Sequence, residues 1–159
     1  MDFSKDLEIT LNANEAGDGV VCVLRNCTDE DLVLRELHEG TDVVIRSMSG
    51  EPAEYVIGTC MSVEVPVVCI PARSAVTKEV AVLKDFVFLQ SGEHQVWVDY
   101  DTSNEKVDWE ECEAAETGVR AVSNIVSIHV PSGSVHRPEA IGPHKARKSS
   151  RPKRWWHFW

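Results

Sequence analysis

Eight carboxylates are concentrated between residues 99 and 116: Asp99, Asp101, Glu105, Asp108, Glu110, Glu111, Glu113 and Glu116. Lys106 is the one cation among them, Trp109 sits in their midst, and Trp97 lies two residues upstream. Carboxylates at this density create a field that steers a cationic partner and speeds encounter at low salt. Tryptophan is the residue type most enriched where such a partner is then anchored. Asp101, Glu105, Asp108, Trp109, Glu110, Glu111 and Glu113, together with Trp97, therefore form a candidate protein-binding set. The competing reading is a solvated loop whose tryptophan caps the edge of the folded body. Calcium chemistry fits poorly, because Asp99, Asp101, Ser103 and Glu105 come without the turn glycine and terminal bidentate acid of an EF-hand loop.

A second chemistry-bearing stretch has the opposite sign. Lys145, Arg147, Lys148, Arg151, Lys153 and Arg154 run into Trp155, Trp156, Phe158 and Trp159. Cations beside aromatic rings suit an anionic membrane surface. They also suit nucleic acid bound through phosphate contacts and base stacking. A partner's groove or the chain's own acidic body would serve as well, and an extension without a role is the plain alternative. The net charge of −10 hides this polarity. Residues 137–159 carry seven Lys or Arg and one Glu, or +6, which leaves −16 on residues 1–136.

Catalytic and metal signatures are missing from the sequence. There is no GxSxG, HExxH, P-loop or GxGxxG. The six histidines are scattered, although His94 and His129 could face each other on adjacent strands as half of a metal site. The five cysteines (22, 27, 60, 69 and 112) are odd in number and contain no CxxC, so they read as structural thiols rather than zinc ligands or a disulfide framework. We therefore expect no enzyme, no metal and no cofactor. The N-terminal MDFSKDLEITL has acids at 2, 6 and 8 and lacks the apolar core of a signal peptide, which points to the cytoplasm. In that setting Asn26-Cys27-Thr28 is a turn rather than a glycosylation site.

The elements that must position these residues are strands. Leu7, Ile9 and Leu11 alternate with polar residues, 20–25 is an apolar strand, and 32–37 and 42–48 continue the pattern between Gly-, Asn- and Asp-containing turns. Between 54 and 70 the pattern loosens. Tyr55, Ile57, Val63, Val65, Val67 and Cys69 form a candidate core face there, and Pro66 marks an edge or bulge. Residues 71–100 are the most regular part: Val76, Val80 and Val82 alternate, an aromatic corner holds Phe86 and Phe88, and Ser91-Gly92-Glu93 turns into a strand. In that strand Val96, Val98 and Tyr100 face inward, which sets Trp97 on the outer face. A final strand within 119–130 presents Val126, Ile128 and Val130 inward, and the acidic segment, with a short helix at 108–115 as one reading, is the long loop before it.

Residues 70–100 together with 123–130 resemble the bacterial cytoplasmic immunoglobulin-like sandwiches, including the intracellular proteinase inhibitor type. The resemblance rests on Pro71, Ser74, Phe88, Gly92, Val96, Val98, Tyr100, Ser123 and Asn124, and covers about a third of the chain. His94 stands where that family commonly places its corner tyrosine, so the corner hydrogen bond must be remade or lost. The resemblance implies an all-β, two-sheet antiparallel immunoglobulin-like sandwich over residues 1–131, followed by a linker and basic, Trp-rich tail over 132–159. It carries no site residues, because one fold hosts many functions. The expected function is a non-enzymatic, cytoplasmic protein-binding module, of inhibitor or immunity type, that meets a basic partner through the 101–116 loop. The alternative is an adaptor acting through 145–159.

Overall fold

The structure, a computed structural model, describes residues 5–55, 66–102 and 118–135. Period-two alternation is realised as strands: β1 (Leu7–Ala13), β2 (Val20–Asn26), β3 (Leu32–Arg35), β4 (Val43–Ser47), β5 (Glu54–Tyr55), β6 (Val67–Ile70), β7 (Ala75–Val80), β8 (Phe86–Val87), β9 (Gly92–Asp101), β10 (Arg120–Val122) and β11 (Val126–Val130). Two single-turn helices, α1 (Glu39–Asp42) and α2 (Val82–Asp85), and a 3-10 turn at Ser132–Ser134 complete the elements. The protein is all-β. One antiparallel sheet has the order β1-β2-β7. In a second, β9 is central, with β4 on one side and β10 and β11 in succession on the other. β3 pairs with β6, and β5 with β8.

Both larger sheets turn their apolar sides to one core. Leu7, Ile9 and Leu11 from β1 meet Val96, Val98 and Tyr100 from β9 and Ile128 and Val130 from β11 there. At roughly 1.5–3 kcal/mol for each large apolar side chain fully buried, this core is what offsets the entropy of ordering the chain. Phe86 and Phe88 are buried in it too, so the aromatic corner is part of the core.

Three expectations need correction. In β6 the inward phase is Val68 and Ile70, whereas Val67 and Cys69 are exposed. A single-residue shift in phase exchanges the faces of a strand, and pairing with β3 sets Leu32 against Ile70 and thereby fixes the phase. Asp42 does not begin a strand but closes α1, where its carboxylate accepts the His38 N–H at 2.7 Å. The final strand is two strands, β10 and β11, divided at Ser123–Ile125. After Pro131 the chain makes the 3-10 turn and reaches Val135, which bridges to Phe88.

Two polar clusters tie the core together. Asn26, fully buried, donates to the carbonyls of Glu30 and Ile70 and accepts from the Thr28 N–H, which makes the Asn-Cys-Thr segment a structural turn. Arg35 forms a two-pronged ion pair with Asp42 at 2.8 and 2.9 Å, while its guanidinium carbon lies 4.8 Å from the centre of the Tyr100 ring. The Tyr100 hydroxyl donates to the Arg35 carbonyl at 2.8 Å. Among the described residues no helix is long and apolar enough to cross a membrane.

Candidate partner-binding surface

The surface is built on β9. Gly92 starts the strand at φ +100°, a conformation that costs a side-chain-bearing residue, and ten residues of extended chain follow. His94, Val96, Val98 and Tyr100 point into the core, so Trp97, Asp99 and Asp101 lie on the opposite face, with Trp97 half-buried. That placement agrees with the alternation in the sequence.

Pairing on both sides of β9 fixes the neighbours of Trp97. On one side Val44 of β4 is its register partner. On the other, Ser123 donates its N–H to the Val98 carbonyl and Val126 pairs with Val96, so Asn124 and Ile125 together stand opposite Trp97. Two residues against one is a β-bulge, a device that re-aims side chains. Here it frees Asn124, whose amide bonds both backbone groups of Leu11 in β1: Oδ1 accepts the N–H at 2.8 Å and Nδ2 donates to the carbonyl at 3.0 Å. The Ser123 hydroxyl steadies the bulge by accepting the Val98 N–H and donating to the Asn124 carbonyl, each at 2.8 Å. Ile125 is left 58% exposed and Val122, the partner of Asp99, 42% exposed. An apolar patch of Val44, Trp97, Ile125 and Val122 results.

Charge borders it. The Arg120 guanidinium lies 3.7 Å from Asp99 Oδ2 and 3.9 Å from Asp101 Oδ2, so one cation serves two carboxylates at long range. These pairs are partly buried but long, so each contributes little stability, roughly 0–1 kcal/mol. Asp99 Oδ1 is hidden from solvent and has no hydrogen-bond partner among the described residues. Thr102, buried at the end of β9, accepts the Val119 N–H and donates to the Val119 carbonyl, fixing the two chain ends between which residues 103–117 run.

Of the residues singled out from the sequence, the structure places Trp97 and Asp101 on this one face. Glu105, Asp108, Trp109, Glu110, Glu111 and Glu113 lie outside the described residues, as do Lys145, Arg147, Lys148, Arg151, Lys153, Arg154, Trp155, Trp156 and Trp159. Val44, Val122, Ile125 and the Asn124 clamp were not singled out as a surface. Nothing in the alternation of residues 119–130 marked them out.

The paired-histidine expectation fails. His94 is opposite Ile128, is buried edge-on against Phe88 at 5.1 Å, and bonds the Gly92 carbonyl through Nδ1 at 3.0 Å. His129 points outward to Glu93 at 3.0 Å. Among the described residues no three His, Cys, Asp or Glu side chains gather where they could hold a metal ion. The Thr41 hydroxyl approaches His38 Nδ1 at 3.3 Å on an exposed helical turn, with Tyr55 edge-on to the imidazole. The structural-thiol reading holds for Cys22, which is buried, but Cys69 is exposed. Burial pushes the Cys22 thiol up to about 12, with Lys78 opposing and Asp42 adding to the shift.

No protein-family model matches the chain, and no curated protein matches it significantly.

Proposed function

We propose that this chain is a non-catalytic protein-binding module that engages a basic partner through the outer face of β9 and the acidic segment that leaves its end. The observation that carries this reading is the position of Trp97. A large ring stands on the outer face between Val44 and the bulge, next to Asp99 and Asp101, where a strand with only a core to serve would present polar side chains. An apolar centre with an acidic border is complementary to a surface that carries a hydrophobic anchor ringed by Lys or Arg.

We read the scaffold as an immunoglobulin-like sandwich, and the sheet membership supports this. β1, β2 and β7 occupy the places of strands A, B and E, and β4, β9 and β10/β11 those of C, F and G. The departure is β6, which pairs with β3 instead of extending the first sheet. An inhibitor or immunity role is a special case of this reading in which the basic partner is an enzyme.

Capture from native lysate at low and high salt tests the proposal, using the full chain and a variant with Glu110, Glu111 and Glu113 changed to Gln. A basic protein held at low salt, released at high salt and lost by the variant is the expected result. Equal capture by both chains would refute it. Loss only on deleting residues 137–159 would assign binding to the tail instead.

A further inference from the structure

In the sheet β1-β2-β7, β7 is an edge strand, and its side away from β2 is open. The registers show which backbone groups lie on that side. The Cys27 N–H donates to the Asp6 carbonyl, so the odd residues of β2 bond β1 and the even ones bond β7. The Asn26 N–H donates to the Ser74 carbonyl at 2.8 Å, which gives the same phase from the other direction: Ser74, Val76, Lys78 and Val80 bond β2. Ala75, Thr77 and Glu79 therefore direct N–H and C=O outward. All three residues are exposed, and among the described residues no group bonds those outward atoms.

Edge strands are ordinarily guarded by a proline, a bulge or a charge that points inward. β7 contains no proline, and its ladder with β2 runs without a bulge from the Val20–Val80 pair to the Arg25–Ala75 pair. Lys78 does lie on the inward phase of the strand. Its ammonium, however, donates to the Leu37 carbonyl at 2.7 Å and to the Glu36 carboxylate at 3.2 Å. That charge is met within the fold, so nothing draws the side chain out across the edge.

We infer that this edge is a self-association surface, where β7 of a second copy of this chain pairs antiparallel and joins two sheets into one. A twofold axis normal to the sheet generates that pairing with the same patch on both copies. Centred on Thr77, it sets Thr77 against Thr77, Ala75 against Glu79 and Val76 against Lys78. No like charges are then directly opposed, and the outward N–H and C=O of residues 75, 77 and 79 all find partners. The two Lys78 side chains lie diagonally, each held by its own Glu36 and Leu37. An axis at Lys78 would oppose the two ammonium groups directly. One at Val76 would set Glu79 against Arg73, which has left the strand at φ +57°. Charge also favours a second copy over a basic partner here, because Lys78 and Glu79 cancel along β7 whereas the border of the β9 surface is acidic. β7 and β9 belong to different sheets, so the dimer does not use the Trp97 face and the inference does not rest on the proposed function.

Sedimentation equilibrium of the full chain, combined with amide hydrogen exchange on ¹⁵N-labelled protein at low and high concentration, tests it. The expected result is a monomer–dimer equilibrium. Raising the concentration should slow the Ala75, Thr77 and Glu79 amides at least ~10-fold, while Val76 and Lys78 are protected throughout. Thr77→Pro deletes an outward donor without touching the ladder to β2, and should be monomeric with the circular dichroism of a folded β protein. Thr77→Val keeps that donor and should still dimerise, as should Trp97→Ala on the other sheet. A chain that stays monomeric at the concentrations used for NMR would overturn the inference. So would a dimer whose Ala75, Thr77 and Glu79 amides exchange as quickly as in the monomer, or one that survives Thr77→Pro. Should Thr77→Pro fail to fold, the wild-type exchange pattern decides. None of these failures touches the proposed function, whose capture is read at β9.

Discussion

Asn124 holds strands of different sheets together with a single side chain. Its amide replaces a stretch of ladder, and a hydrogen-bonding group of this kind is costly to remove because its partners are left unsatisfied. Asn124→Ala should therefore cost about 1–3 kcal/mol, read as a lowered urea midpoint. Asn124→Asp keeps the acceptor for Leu11 N–H but loses the donor, and should fall between wild type and Ala. Cys22 makes a second residue-scale prediction. With its thiol pushed up to about 12 by burial, it remains neutral and shielded at pH 8. Iodoacetamide mapped by mass spectrometry should label Cys69 in the native chain and reach Cys22 only after denaturant is added. Labelling of both at equal rates would contradict the burial.

At the scale of elements, α1 and α2 bring two acids together. The Glu39 carboxyl is held above its ordinary value, first by desolvation and then by its hydrogen bond to and repulsion from Asp85, with Lys78 opposing. A carboxyl whose folded-state pKa is raised contributes stability that is fully present below the unfolded value and is lost as pH rises through the folded one. Urea midpoints should therefore show Glu39→Gln gaining on wild type as pH rises from about 4 to 7. A constant difference across that range would contradict this. The link between β3 and α1 makes a different demand. Asp42→Asn leaves the Arg35 guanidinium buried without its counter-charge, a class of change that costs about 3–5 kcal/mol. The pair replaced together, Arg35→Met with Asp42→Leu, should be less destabilised than Asp42→Asn alone.

Most of these elements were legible in the sequence because their apolar period is two and one face is buried. Trp97 was placed on the outer face from Val96, Val98 and Tyr100 alone, and the core positions of β1, β7 and β9 follow in the same way. Where that logic failed, a partner strand decided. β6 took the phase opposite to the one read from Val67 and Cys69, because its pairing with β3 sets Ile70 against Leu32; Ile57, Val63 and Val65 lie outside the described residues. The bulge was missed because alternation through Ala121, Ser123 and Ile125 gives no sign that one residue is extra. Only the register against Trp97 reveals it.

For the whole molecule, a body of −16 joined to a segment of +6 makes salt the natural variable. Interactions between exposed charges fade once the Debye length shrinks from ~10 Å at 0.1 M to ~3 Å at 1 M salt. The central claim, however, concerns an apolar anchor within that field, and Trp97 can be changed without touching the core. The most direct measurement is retention of the captured protein by Trp97→Ala relative to wild type at low salt, with urea midpoints taken on the same preparations. The account predicts retention reduced at least ~10-fold, as expected for a binding hot spot, with the midpoint close to that of wild type. Undiminished retention by a normally folded Trp97→Ala would contradict it, and the outer face of β9 would not be the binding surface.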